Sequence, residues 1–455
     1  MKIPQKHPQS KLLMFSLTLF SVLAFSAMNT QAQDTLHISL QQAVRQGLDS
    51  SKTLHISQSE IDAAMARFKQ ARDARLPDIK ASLTASEAFI FTRKFQMAGL
   101  MKEPLTLPDK ATMYMGTLTA NQVIFAGNQL RLASESAELL HKIAQLNTES
   151  DSEQITFNVI DAYITLFKID ENLKIMDQEL LDIQGRLEET VQFKDQGLAT
   201  DNDVLRFKLQ KAKAELSQID LENSRAVANY ALCILLGQSE GAFLKVDSIN
   251  EQQNDMPALN DLMSKALLER KEINVYRYKS QLSDLNIKKI NGEKLPTLGV
   301  GITGYYINPN SQFIPPQNSF IVPAMVGLNL SWHISSLYTS KHKIAEAKIR
   351  QNEVKIAQQA TVDQVKIDVN KQYHDYLQSL KKIQVLHTAV EQAQENDRIM
   401  ELKYKNQLAT TTDRIDAQTM LYQSLTNLSI ARAEAVTAYY QLLRATGTLN
   451  EQTAF

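Results

Sequence analysis

The apolar positions of this chain follow two different periods. Over most of its length they recur every three or four residues. Leu173, Met176, Leu180, Ile183 and Leu187 form one such series, and Leu205, Leu209, Ala212, Leu216 and Ile219 form another. That spacing predicts coiled-coil-like helical seams with charged outer faces. No proline lies between Asp109 and Met256, and none follows Pro323. Proline breaks helix interiors, so both blocks can hold very long helices. The stretch from Leu130 to Gln196 alone would run about 100 Å as a helix.

Elsewhere the period is two. Ile79, Ala81, Leu83 and Ala85 alternate with Lys80, Ser82, Thr84 and Ser86. Val322, Ala324, Val326, Leu328, Leu330, Trp332 and Ile334 share one parity, while Gly327, Asn329, Ser331 and His333 take the other. One apolar and one polar face over about ten residues marks an outer-membrane barrel strand. Four strands are predicted, at about 78–91, 112–125, 297–307 and 321–334. Charge favours the membrane over a soluble sheet. Asp, Glu, Lys and Arg make up 22% of the chain, yet none occurs from Leu295 to Ser340 or from Ala111 to Leu130. A charge on a lipid-facing strand costs roughly 2–4 kcal/mol at the bilayer midplane.

The chain also repeats itself. Leu76-Pro77 recurs as Leu295-Pro296, and an offset of 219 then pairs Ile79, Ala81 and Leu83 with Leu298, Val300 and Ile302. Further on the offset is 210. It pairs Tyr163 with Tyr373, Leu198-Ala199-Thr200 with Leu408-Ala409-Thr410, Asp203 with Asp413 and Gly237 with Gly447. The first copy therefore carries nine extra residues at one place between Leu83 and Leu118. An insertion confined to one site is typical of a surface loop. Each copy reads helix, strand, loop, strand, long helix, short break, long helix. The first copy spans 33–237 and the second 258–447, with an inter-repeat equatorial linker at 238–257 and a tail at 448–455. The breaks at Lys194–Gly197 and Lys405–Gln407 fold each pair of long helices into an antiparallel hairpin.

Composition adds the compartment. Residues 1–32 read as a signal peptide: Lys2, Lys6 and Lys11, an apolar run from Leu12 to Ala27, then Thr30-Gln31-Ala32 before Gln33. A formal charge of −1 argues against nucleic acid as a partner. Cys233 is the only cysteine, so the exported chain must be stabilised by packing or assembly and not by cross-links. Four strands cannot close a barrel, because open sheet edges do not stand in lipid and the smallest single-chain barrels have about eight strands. The chain must assemble through its sheet edges. Strand number alone allows a dimer, a trimer or a tetramer.

Together these features resemble the TolC-like outer-membrane efflux proteins. The specific segments are Gly197-Leu198-Ala199-Thr200-Asp201-Asn202-Asp203-Val204, the run from Asp413 to Tyr422, and Gly447-Thr448-Leu449-Asn450-Glu451. The resemblance covers essentially the whole mature chain. It implies a mainly α fold with membrane β. Long helical hairpins would form a periplasmic α-barrel, and four strands per chain would contribute to a trimeric 12-stranded outer-membrane β-barrel. It implies an efflux channel subunit that docks on a periplasmic adaptor and is served indirectly by an inner-membrane RND or ABC pump.

The resemblance also assigns residues. Gly197, Leu198, Ala199 and Thr200, with Gln407, Leu408, Ala409 and Thr410, match the hairpin tips that meet the adaptor. Turn and cap chemistry would account for the same residue types. Asp413 and Asp416 match acids that narrow the tunnel entrance. Three residues apart, they project from one helix face, and threefold symmetry would gather six carboxylates into a cation-attracting ring. Mutual repulsion there should raise some of their pKa values. A plain acidic first helical turn is the alternative. The family pattern also ties tips together through an acid in the first tip and an arginine in the second. Asp203 matches the acid, but Ala409 stands where the arginine would be, and Arg414 lies near that position without occupying it.

No catalytic constellation emerges. The eight His are scattered, without an HExxH pair or a phosphate-binding glycine loop, so neither enzyme activity, cofactor nor metal is expected. The residues also allow two other readings: a type I protein-secretion exit channel of the same fold, and a soluble periplasmic coiled-coil scaffold.

Overall fold

The computed structural model describes residues 35–91, 94–95, 103–106, 109–249, 256–308 and 321–450. The signal peptide read over 1–32 and the tail beyond Asn450 lie outside them. The chain opens with β1 (Thr35–Ile38), α1 (Leu40–Ser50) and α2 (Lys52–Asp73). β2 (Asp78–Phe89) follows, then the two-residue strands β3 (Lys94–Phe95) and β4 (Leu105–Thr106), then β5 (Lys110–Ala126). The first helical hairpin is α3 (Gln129–Asp195) with α4 (Asp201–Leu236). After β6 (Phe243–Val246) the plan recurs as α5 (Leu259–Glu269), α6 (Lys271–Gly292), β7 (Thr297–Asn308), β8 (Ala324–Ser331), α7 (Ser336–Lys405) and α8 (Thr411–Ala445). The internal repeat reaches upstream of Leu76, since α1 and α2 have the lengths of α5 and α6, 11 and 22 residues. α3 and α7 hold 67 and 70 residues, about 100 Å of helix each.

The membrane strands form one antiparallel sheet in the order β2-β5-β7-β8. Its register joins the separate alternations into one face. Leu83 stands opposite Gly116, Leu118 opposite Gly304 and Ile302 opposite Val326. Val326, Leu328 and Leu330 are each more than 70% exposed on that face in the single chain. The opposite face carries Ser82, Thr117, Thr119, Gly301, Thr303 and Asn329, with the Ser82 and Thr117 hydroxyls hydrogen bonded at 2.5 Å. All four helical connections leave the sheet at the same end.

The last strand is shorter than its alternation suggests. β8 starts at Ala324, because Pro323 has no N–H to offer β7 and only accepts, from Tyr305 N at 2.8 Å. Residue 321 keeps an isolated bridge to Ile307. β8 stops at Ser331, opposite Thr297, because its partner β7 begins only after Pro296. Beyond it the Trp332 indole N–H donates to the Lys294 carbonyl (2.9 Å) and the chain enters α7. Part of the expected linker is also ordered sheet: β6 pairs in parallel with β1, Thr35 opposite Phe243 through Ile38 opposite Val246.

The core sits at this waist, where α1, α3, α4, α5, α7 and α8 converge on the β1–β6 pair. Val159, Ile160, Leu166, Leu232, Leu244 and Ala266 are fully buried there. Tyr163 ties the layer together. Its hydroxyl donates to the Ile38 carbonyl (3.0 Å) and accepts from Asp247 N (2.8 Å), and burial pushes its pKa up to about 12. Cys233 is buried in the same core. At the barrel junction, Gly127 (φ +57) lies against Gly292 so closely that a Cβ on either would fall 2.3–2.4 Å from the other's carbonyl oxygen.

Candidate functional site at the hairpin tips

The two tips are built from the same bonds. In the first, α3 ends as Gly197 adopts φ +76, with Gly197 N donating to Lys194 O (2.8 Å) and Leu198 N to Phe193 O (2.7 Å). Thr200 then caps α4. Its hydroxyl accepts from Asp203 N (3.3 Å), and the Asp203 carboxylate accepts from Thr200 N (2.8 Å). In the second tip, Gln407 takes the left-handed conformation (φ +59), and Leu408 N donates to Lys403 O (2.7 Å). Thr410 and Asp413 close the matching capping box, at 3.2 and 2.9 Å. Leu198 and Leu408 are left 51% and 77% exposed, while Thr200 and Thr410 are spent on their helices.

The two acids expected at an entrance, Asp413 and Asp416, are placed differently. Asp413 is exposed, and the Thr410 hydroxyl and amide, with Lys403 nearby, hold its carboxyl below the ordinary range. Any upward pressure from carboxylate crowding has to come from neighbouring chains. Asp416 lies one turn further on the same face of α8, exposed and without a hydrogen bond or ion pair among the described residues. Asp203 is half-buried. Burial raises its pKa, but hydrogen bonds from Thr200 and Thr411 and the nearby Arg206 outweigh that and lower it. Ala409 offers no donor, and the tips are joined within one chain by other groups: Arg206 donates to the Thr412 hydroxyl (2.7 Å) and Gln210 to that of Thr419 (3.3 Å).

Above the tips runs a polar seam that the sequence did not single out. The Arg414 side chain is 2% exposed and grips the Asp397 carboxylate, tying α8 to α7. Its Nε, and both amide atoms of buried Gln418 one turn on, have no partner. One turn further still, the Tyr422 hydroxyl donates to Asp182, joining α8 to α3. Arg186 of α3 pairs with Glu401 of α7 at 2.8 Å. The Lys405 ammonium, with Arg186, overcomes burial to lower the Glu401 pKa to about 2. Tyr404 fills the centre between the rings of Phe193 and Phe207, its hydroxyl 3.3 Å from that of Thr190. The available signal was a charged or polar residue at each apolar-period position of α8: 414, 418 and 422.

Among the described residues there is no cluster of His, Cys, Asp and Glu that could hold a metal, and no helix long and apolar enough to cross a membrane. What crosses is sheet, and what extends from it is a pair of hairpins: the subunit of a tubular channel. The outer membrane efflux protein model matches residues 43–238 and again 262–448, once per internal copy, and the chain belongs to that family. It is 23% identical over 457 residues to the outer membrane protein TolC of Salmonella enteritidis, covering 98% of this chain and 88% of that one. It is 22% identical over 439 residues to TolC of Vibrio cholerae, covering 95% and 96%. Among solved structures, VceC of Vibrio cholerae superposes with a TM-score of 0.76 at 18% identity, covering 90% of this chain and 96% of VceC. CusC gives 0.76 at 14% identity, covering 90% and 92%. The chain is an outer-membrane efflux channel subunit, and its family and fold are those of channel proteins and not of enzymes.

Proposed function

We propose that the protein works as a homotrimer, the exit duct of a tripartite efflux system, with its helical tunnel in the periplasm after export by the signal peptide. The observation that carries this reading is the open sheet. β2 and β8 each have one strand neighbour, while the sheet presents a continuous apolar face. Edges of that kind need partners in lipid. Three copies give a closed barrel of twelve strands, with the helices continuing it as a tunnel of twelve. The exposed leucines of the tips, Leu198 and Leu408, supply an apolar docking surface for a periplasmic adaptor, which links the duct to an RND or ABC pump. Asp416, free of intrachain partners, is the better placed of the two acids to act on passing ions; Asp413 contributes while also holding its helix.

Detergent-extracted protein should run as a trimer and conduct ions in planar bilayers. Asp416→Asn should move the reversal potential under a salt gradient toward zero selectivity and weaken block by multivalent cations, at unchanged stability. Asp413→Asn should do the same and also loosen the tip. Absence of both trimer and conductance would overturn the channel assembly. An unchanged reversal potential in both variants would remove the acids from the entrance.

A further inference from the structure

Four chain segments connect the membrane sheet to the helices: 67–80 before β2, 127–138 after β5, 288–294 before β7 and 335–348 after β8. They lie side by side, because the strands they serve are neighbours in one sheet. Together they hold twelve Lys and Arg against six Asp and Glu, in a chain of net charge −1. Pairing widens the imbalance. Every acid in the zone except Asp73 is already in an ion pair, as Asp78 is with Lys80 and Glu293 with Lys343. Arg75, Lys288, Lys289, Lys294, Lys341 and Lys348 have no ion-pair partner among the described residues, and all but Lys294 are exposed.

The position of this charge decides what it meets. Lys294 and Lys341 are the residues immediately before and after the charge-free stretch Leu295 to Ser340. Trp332, the only tryptophan, follows Leu330 in the apolar alternation of β8, is half exposed, and donates its indole N–H to the Lys294 carbonyl. Tryptophan favours the headgroup level of a bilayer, and that layer is roughly 5–8 Å deep on each side, about one helical turn. The unpaired bases begin where the apolar face of the sheet ends.

We infer that this zone is a collar for anionic phospholipid headgroups in the leaflet at the tunnel end of the barrel. Ammonium and guanidinium groups donate charge-assisted hydrogen bonds to phosphodiester oxygens, and each basic group at a membrane surface contributes about a fivefold preference for anionic lipid. The inference rests on the sheet being a membrane barrel, and Trp332 tests both at once.

The full-length protein is reconstituted in phosphatidylcholine bilayers, with either brominated phosphatidylcholine or brominated phosphatidylglycerol as quencher of Trp332 fluorescence. The collar predicts that the anionic lipid quenches with an apparent affinity at least about fivefold higher, that half-molar salt abolishes the difference in the unaltered protein, and that Lys294→Gln with Lys341→Gln reduces it while leaving quenching by brominated phosphatidylcholine intact. Equal quenching by the two lipids, or a preference that survives both salt and substitution, would overturn the collar and leave the basic zone to an acidic protein surface. No quenching by either lipid would instead refute the membrane placement of β8.

Discussion

Replacing Arg414 by Met removes one half of the ion pair that ties α8 to α7 just above the second tip. The Arg414 side chain is 2% exposed and that of Asp397 15%. Breaking a buried pair on one side costs about 3–5 kcal/mol, because the remaining charge is left without compensation. The residual exposure of Asp397 puts the expectation near 3 kcal/mol. Methionine keeps most of the packing volume, so the loss reports charge and not a cavity. Converting both partners, Asp397→Leu with Arg414→Met, should bring stability back to within about 1 kcal/mol, since apolar replacements of buried pairs are often neutral. Amide hydrogen exchange of the intact assembly reads this locally. With about 1.4 kcal/mol per factor of ten, the single variant should exchange about 150-fold faster at the tip, and the double variant within about fivefold of the unaltered protein. The waist around Tyr163 serves as the internal control and should not change. Exchange in the single variant within about threefold of the original would refute the reasoning, as would equal exchange in single and double variants.

Gly127→Ala must place a Cβ 2.3 Å from the Gly292 carbonyl oxygen at a φ of +57. The strain and the overlap together should cost about 2–5 kcal/mol and show as loss of assembled trimer from membranes, whereas Gly327→Ala, with open space around it, should assemble normally. Gln407→Gly relieves a side chain held at φ +59 and should stabilise the second tip by about 1 kcal/mol in the same exchange experiment. Acid should act on two places with opposite sign. The Glu401 pKa is depressed to about 2, so its contribution, on the order of 2 kcal/mol, is present above its ordinary value of 4.5 and is lost as pH falls from there toward 2. Burial raises the pKa of Glu153 at the waist, so its contribution is full at low pH and is lost as pH rises through the raised value. Exchange measured between pH 3 and 6 should find the hairpin seam loosening on acidification while the region around Glu153 does not.

Much of this architecture was legible because its signals are local. A helix of 67 residues repeats its period many times, and a lipid-facing strand announces itself by excluding charge over a whole segment. The elements without such a signal are short or depend on distant partners. β1 and β6 are four residues each, too few for an alternation to stand out, and they find each other across some 200 residues. The end of β8 is set by where its partner β7 begins, after Pro296, which the alternation of β8 does not itself encode. The polar seam was hidden for a related reason. Arg414 shares the buried period of α8 with Gln418 and Tyr422, but its partner Asp397, 17 positions away on the antiparallel helix, becomes legible only when the two helices are brought together.

The repeat also discriminates between Asp413 and Asp416, the two acids proposed for the entrance. At the offset of 210, Asp413 corresponds to Asp203, and both close the same capping box with a threonine. A carboxylate that the other tip carries for helix capping needs no further role to explain its presence. Asp416 corresponds instead to Arg206, which reaches across to Thr412. Here the two copies bear opposite charge at one position of one shared turn, and folding of the hairpin does not require the acid, since the first copy folds with a base. The chemistry that distinguishes the second tip from the first therefore lies at Asp416 and at the buried Arg414, whose counterpart is Val204. One supplies the unpaired negative charge that the proposed entrance requires; the other fixes the helix that carries it.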